Sequence, residues 1–437
     1  MTWLVLLVSA IAALAGAGLA YVIGAAAVAS FYIAGQERFL AALPQRLFAQ
    51  VDSFTFLAMP LFILAGELMT RGGITRALVD LTLLIVGRLR GGLGHVGVAT
   101  SVFLSGISGS AVADAAALSN TLVPEMTRRG YARDYAAALV AAASMIGPII
   151  PPSIVLVFYG ALMNVSVAGL FAAGFLPGLL LAAALIAMNA FSAWRHDHPR
   201  GVRPDAAPLH VVAKAAPALA LPAIILSGIV FGVTTPTEAA ALAVAAAVAI
   251  SFLYGIWEDG SLPRVLRSQL SDVRFALLRT TILSGSIFAI MFAAGAFEYL
   301  FALQGLPRWL SRQVAELGLG LHGYLALVMA VLLLAGTVME APMVLVLFVP
   351  ILAPPAIALG ADPIHLGTVI CFNLSLGLIS PPLGGCLMVV SAVTGVTFWR
   401  LSVAIMPFFL VEVAVLAALV AWPDFVLFVP RLVGLAP

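Results

Sequence analysis

The residues able to do chemistry fall into two short clusters of oxygen-bearing and helix-breaking positions. The first holds Ser105, Ser108, Gly109, Ser110 and Asp114, followed by Gly147-Pro148-Ile149-Ile150-Pro151-Pro152-Ser153. The second holds Gly336-Thr337-Val338-Met339-Glu340, followed by Gly377-Leu378-Ile379-Ser380-Pro381-Pro382-Leu383. Proline removes a backbone donor and clashes with the preceding turn, so each proline-rich stretch must unwind and leave carbonyls free. Hydroxyls and freed carbonyls make an oxygen ligand set suited to a hard cation such as sodium. One cation site is expected from Ser105, Ser108 and Gly109 with Gly147 and Ile150. A second is expected from Gly336 and Thr337 with Gly377, Ser380 and Leu383, several of them through main-chain oxygen. Half-helix N-termini at the breaks also favour an anion. Candidates for contact with such an anion are Ser110, Asp114, Pro152, Ser153, Glu340, Asn373 and Pro382. Asn373 is equally suited to bond a neighbouring helix. No cofactor is expected beyond sodium acting as a coupling ion.

These clusters sit in a chain that is 63% apolar and 9% charged over 437 residues. That is too little polar surface for a soluble globule of this size. Apolar runs long enough to span a bilayer recur throughout, and no strand-like alternation is sustained. The expected fold is an all-α polytopic membrane protein, with about 10–11 transmembrane helices and two re-entrant hairpins. Residues 3–34 read as one long crossing or two short ones, 35–53 as an interfacial amphipathic piece, and 54–70 and 77–87 as crossings. The formal net charge of +2 gives no sign of a nucleic-acid partner. Cys371 and Cys386 share one apolar segment, and no metal-binding spacing of Cys and His occurs. Glu67, Glu238 and Glu298 read as interfacial or capping acids, and His196 with His198 as part of an exposed charged loop.

Charge placement sets the topology. Arg88 and Arg90 precede the segment 92–124, and Arg128, Arg129 and Arg133 follow it. The positive-inside rule puts both flanks in the cytoplasm, so the segment is a hairpin whose tip is Ser108-Gly109-Ser110. A crossing broken at 147–153 follows over 135–160. Loops 195–214 and 258–275 are basic and expected in the cytoplasm, while 300–322 reads as an amphipathic stretch on the far side. A second hairpin, 323–358, has no Lys or Arg in its flank 359–365 and opens to the opposite face. A second broken helix spans 364–395.

The two units repeat. Pro124 and Pro354, Gly130 and Gly360, Gly147 and Gly377, Pro151-Pro152 and Pro381-Pro382, and Pro177 and Pro407 all stand 230 residues apart. Gly, Ser and Pro can merely permit close helix packing, but breakers in register across two hairpins facing opposite sides make an inverted repeat. Inverted repeats with discontinuous helices mark secondary transporters. The expected organisation is a single membrane domain in which units 92–194 and 323–422 form a mobile transport part and the other helices a scaffold.

Gly106-Ile107-Ser108-Gly109 offers an enzymatic alternative, a GxSG pattern of the kind used by intramembrane serine proteases. That chemistry needs a mid-membrane histidine to activate Ser108. The histidines, 95, 196, 198, 210, 322 and 365, all fall in loops or near helix ends.

At the level of motifs, the chain resembles the large membrane subunit of tripartite ATP-independent periplasmic (TRAP) transporters. The matching stretches include MPLFILAGELMTRGG (59–73), SGSAVADAAAL (108–118), PEMTRRGY (124–131), GPIIPPSIVLVFYG (147–160), GADPIHLG (360–367) and NLSLGLISPPLGG (373–385). The resemblance implies an elevator-type transporter of the ion transporter superfamily in a bacterial inner membrane. It implies uptake of an organic acid driven by sodium, with a small four-helix membrane subunit and a periplasmic substrate-binding protein as partners. The small subunit is expected as a separate polypeptide. A stand-alone cation-coupled permease of the same superfamily is the alternative. The family usually carries Thr where Ser380 stands, and the hydroxyl is kept.

Overall fold

The computed structural model describes residues 8, 11–12, 15–199, 201, 207–259 and 261–436. Among these the chain is helical throughout. In chain order the α-helices are α1 (Leu19–Ile33), α2 (Leu43–Val51), α3 (Ala58–Arg71), α4 (Ile74–Val86), α5 (Gly92–Ser108), α6 (Ala111–Arg128), α7 (Arg133–Ser144), α8 (Ile154–Met163), α9 (Val167–Arg195) and α10 (Pro208–Val230). They continue as α11 (Pro236–Asp259), α12 (Leu262–Leu303), α13 (Leu306–Glu316), α14 (Leu321–Val338), α15 (Ala341–Ala358), α16 (Pro363–Gly377), α17 (Gly385–Thr394), α18 (Phe398–Ala421) and α19 (Pro423–Leu432). Among the described residues eight helical runs, one of them Phe54–Arg71, are long and apolar enough to cross a membrane. Most of the run before α1 lies outside the described residues, including the positions that would show whether it crosses separately.

Local chemistry sets the boundaries of the two units. The first hairpin, α5–α6, turns at Gly109, whose φ of +57° is open to glycine at little cost. Ser110 then caps α6 by accepting from the Ala113 amide at 3.4 Å. The second hairpin, α14–α15, turns through Met339 and Glu340 in extended backbone and needs no glycine at the turn itself. Each hairpin is followed by a broken helix, α7/α8 and α16/α17. Arms α6 and α15 have 18 residues each. Half-helices α8 and α17 have 10 each, closed by left-handed caps at Asn164 (φ 53°) and Gly395 (φ 70°). Both Pro151-Pro152 and Pro381-Pro382 are cis.

One helix shows that the hairpins open at opposite ends. The 29 residues of α9 run about 43 Å. Its C-terminal end meets the base of the first hairpin, where the Asn189 amide donates to Gly91 O at 3.2 Å and Arg90 pairs with Asp197. Its N-terminal end meets the start of α16, just past the base of the second hairpin, where a Cβ on Gly169 would lie 2.7 Å from Ile364 Cδ1. The basic flanks of the first hairpin stay together at one end, with Arg400 bound to Asp134 at 2.8 Å.

The units interlock. α17 of the second lies on α6 of the first, and α8 of the first lies on α15 of the second. The broken helices also bond each other. Cys371 Sγ donates to Val155 O at 3.6 Å, Tyr159 Oη donates to Pro363 O at 3.4 Å, and Cys386 is hydrogen-bonded to Ser144. Beside this body, α3 packs on α11 and α12, α12 on α1, and α10 on α4 and α11. Glu67–Arg279 (3.1 Å) and Arg71–Asp272 (3.2 Å) tie α3 to α12.

Two expectations are corrected. The stretch 77–87 is not a crossing. It belongs to α4, whose 13 residues span about 20 Å, short of the roughly 30 Å hydrocarbon core. The helix is two-faced, with Ile74, Leu78 and Leu81 buried and Arg76 exposed. It is the counterpart of α13, the amphipathic helix expected within 300–322. The basic stretch 258–275 is not a loop along its length either. α12 begins at Leu262 and runs 42 residues, about 63 Å, longer than a bilayer is thick. Arg264, Arg267 and Arg274 therefore ride on its leading turns.

Candidate functional site

In each unit the hairpin tip lies directly on the break that follows it. At the first tip, Ser108 Oγ donates to Asp114 Oδ1 at 2.6 Å, and the Ser110 amide donates to Ser108 Oγ at 3.3 Å. A Cβ on Gly109 would come within 2.6 Å of Pro152 O, and one on Gly147 within 2.6 Å of Asp114 Oδ2. Those close approaches are why both positions must be glycine. Ser153 Oγ donates to Pro148 O at 2.5 Å and caps α8 by accepting from the Leu156 amide at 3.3 Å. Ser105 is buried beneath the tip, its hydroxyl donating to Val102 O at 2.6 Å. Ile150 is buried and its side chain faces Gly178.

At the second tip, Gly336 and Gly377 meet backbone to backbone, with a Cβ on Gly336 falling 3.3 Å from Gly377 Cα. The Gly384 amide donates to Thr337 O at 3.4 Å, closing the unwound segment over the tip. Thr337 Oγ1 donates to Leu334 O at 2.8 Å, and Ser380 Oγ to Pro381 O at 3.4 Å. Leu383 is 44% exposed and Pro382 is also exposed, so this break opens to the surface of the chain. Glu340 is exposed at the start of α15 with no side-chain capping bond. Asn373 is wholly buried. Its amide donates to Met329 O at 2.8 Å, while Oδ1 has no partner.

The structure thus brings part of each expected cation-site set together: Ser108, through Asp114, and Ser110 beside Gly147, and Gly336 and Thr337 beside Gly377 and Ser380, while Ser105 bonds only Val102, the Ile150 side chain faces Gly178 and Leu383 is exposed. Asp114 is the one substrate candidate with an unpartnered carboxylate oxygen aimed into a break, since Oδ2 is buried and without a hydrogen bond. Ser108 bonds Asp114, and among the described residues no hydrogen bond joins it to a histidine.

The other acids and histidines separate cleanly. Glu238 accepts from the Thr235 amide at 2.8 Å as a cap, and Glu67 pairs with Arg279. His198 is not in an exposed loop. It is buried against the rings of Tyr131 (4.8 Å) and Tyr135 (4.6 Å) at the base of the first hairpin. Burial pushes its imidazole below the ordinary value, helped by neighbouring His196 and Arg90. No group of three or more potential metal ligands of His, Cys, Asp or Glu type occurs among the described residues. Sequence reasoning missed Glu412, a wholly buried acid in α18. The signal was present, since an ionisable residue inside an apolar crossing is a functional candidate by default.

Residues 5–425 match the family described as tripartite ATP-independent periplasmic transporter, DctM component. The chain belongs to this family. It is 35% identical over 393 residues to the sialic acid TRAP transporter large permease protein SiaM of Vibrio cholerae, covering 89% of each protein. It is 35% identical over 393 residues to the C4-dicarboxylate TRAP transporter large permease protein DctM of Pseudomonas aeruginosa, covering 90% of each. The isethionate TRAP transporter permease protein DctMQ of Oleidesulfovibrio alaskensis is 34% identical over 409 residues, 92% of this chain but 62% of that longer protein. Among solved structures, the YdaH transporter of Alcanivorax borkumensis superposes with a TM-score of 0.62 at 16% identity, over 90% of this chain and 89% of that one. This TRAP large permease therefore shares an overall fold with a transporter of distant sequence.

Proposed function

We propose that this TRAP large permease imports an organic anion across a bacterial inner membrane, coupled to sodium and supplied by a periplasmic binding protein. The observation that carries the reading is the pair of hairpin tips, each seated on an unwound helix and entering from opposite ends of one interlocked body. Each tip–break pair offers hydroxyl and carbonyl oxygens, joined in the first by the Asp114 carboxylate, and such an oxygen set suits sodium. The N-termini of α6, α8, α15 and α17, which begin at the tips and breaks, favour a carboxylate. The relatives named for sialic acid and C4-dicarboxylates support an organic acid as cargo. The longer DctMQ relative supports a second, small membrane component as a partner.

In this mechanism, sodium ions bind first and order both tips. Their charge offsets that of the incoming carboxylate. The units then move as one body past the scaffold of α1, α3, α10, α11 and α12. Coupling arises because the fully loaded or empty body moves more readily than a partly loaded one. The test is uptake of labelled carboxylates into proteoliposomes holding the permease and its small subunit, with loaded binding proteins outside and with or without an inward sodium gradient. Uptake that needs both the binding protein and sodium is the expected result. Uptake without a binding protein would instead make this a stand-alone permease, and uptake indifferent to sodium would overturn the two cation assignments.

A further inference from the structure

Glu412 stands in the middle of α18 with no exposed surface, and neither Oε1 nor Oε2 has a hydrogen-bond partner. A bare carboxylate in such a place is costly without a bound positive charge. The groups around it supply none that bonds it. Cys386 on α17 lies within electrostatic reach of Glu412 on one side and of Asp114 on α6 on the other. α7 brings Tyr135, whose ring meets Phe408 one turn below Glu412, and Asp134, which is paired with Arg400. α16 brings His365, whose Nε2 meets Leu419 O. Arg195 of α9 and His322 of α14 lie at helix ends, and Asp424 and Arg431 of α19 pair with each other.

Packing does not call for an acid at this place. With Pro407 aligned to Pro177, the position related to Glu412 in the first unit is Ala182, apolar and buried. Asp114 is likewise matched by buried Val344 in the second unit. Asp114 and Glu412 are thus the buried acids of the two units, each matched by an apolar residue in the other, and both approach the same cysteine. Leu383 and Gly385, beside Cys386, lie at the surface of the chain at the second break.

We propose that Glu412 is a proton-binding site of the transport body, loaded in this conformation and emptied when the second break opens, so that a proton travels with the anion. The carboxylate takes a proton from one aqueous side as the body loads and releases it to the other as it unloads. The ligand is the proton, in addition to the two cation sites. The transport arm of this inference rests on the uptake reading above, but a spectroscopic arm does not.

The test has both arms. Infrared spectra of the purified permease, titrated from acid to alkaline pH with and without sodium, should show a protonated-carboxyl stretch that diminishes at alkaline pH and is missing in Glu412→Gln. In proteoliposomes containing a pH-sensitive dye, uptake should acidify the lumen. Glu412→Gln should remove that acidification at least tenfold while sodium-driven uptake changes less than about threefold, and Glu412→Asp should restore it. A Glu412 band indifferent to pH would make the residue a permanently neutral packing group and overturn the proposal, as would lumenal acidification unchanged in Glu412→Gln. If the Gln variant fails to fold, a shift of the same band in Glu412→Asp assigns it to Glu412, and a band unchanged in Glu412→Asp overturns the proposal. Uptake indifferent to sodium alongside a titrating Glu412 band would defeat the cation assignment and leave this inference standing.

Discussion

Gly336 in the second hairpin and Gly377 at the second break touch through their backbones. A methyl group on Gly377 would fall 2.6 Å from the Gly336 carbonyl carbon and 2.7 Å from its Cα and O. Neither side can yield by turning a side chain, so this contact fixes how closely the tip approaches the unwound helix. It is the second unit's form of the approach that Gly109 makes to Pro152 in the first.

Gly377→Ala is therefore expected to part the tip from the break and abolish sodium-dependent uptake, with a fall of at least tenfold, about 1.4 kcal/mol or more. Gly323→Ala is the control. A Cβ there meets only Leu319 Cδ2 at 3.6 Å, ordinary contact, and alanine suits a helix better than glycine. Uptake by both variants at matched expression decides whether the close approach matters.

Ser108 donates to Asp114, and Ser380 sits at the opposite break. Removing either hydroxyl takes away a proposed sodium ligand and, for Ser108, leaves Asp114 with no donor at all. Ser108→Ala and Ser380→Ala should each raise the sodium concentration for half-maximal uptake by roughly tenfold, in line with the 1–3 kcal/mol expected for an unmet buried polar group. Uptake unchanged at limiting sodium would remove these side chains from the ligand sets.

Asn373 makes one bond and holds one unpartnered acceptor, and one substitution tests both. Its amide ties α16 to Met329 of α14, and its unpartnered Oδ1 remains an acceptor. Asn373→Ala should lower stability by about 1 kcal/mol, the scale of a hydrogen bond between membrane helices. It should also raise the substrate KM if Oδ1 meets the cargo. A melting shift with unaltered KM would assign Asn373 to the helix tie alone.

His198 gives the base of the first hairpin an acid-sensitive contact. Its folded-state value lies below the ordinary 6.5, so the unfolded chain takes up its proton first. The stability it contributes is complete above pH 6.5 and is lost as pH falls from there toward the folded-state value. Melting temperatures should decline over that window in the wild type and decline less in His198→Phe, which keeps the ring packing against Tyr131 and Tyr135. Equal acid sensitivity in both would place the effect elsewhere.

Much of this architecture is legible along the chain because it rests on local properties. Glycine at Gly109 permits a left-handed turn, and prolines at 148, 151 and 152 forbid a continuous helix wherever they are placed. Their recurrence at 381 and 382 reveals the repeat without any knowledge of contacts. The excess of apolar residues fixes the solvent as lipid, and the arginines flanking 92–124 set both of its ends on one side. For the same reasons the sets around Ser108 and Ser380 could be named before the fold was known.

Tertiary structure alone decided the rest, because burial and partnership depend on residues far away in sequence. An apolar stretch at 77–87 reads as a crossing until the ends of α4 show how short the helix is. His198 looks exposed among charges until Tyr131 and Tyr135 close over it. Cys371 and Cys386 are only two thiols in one segment until Val155 and Ser144 of the other unit are found against them. Glu412 could be noticed in sequence as an acid in lipid, but that both of its oxygens lack a donor follows only from how six helices pack around α18.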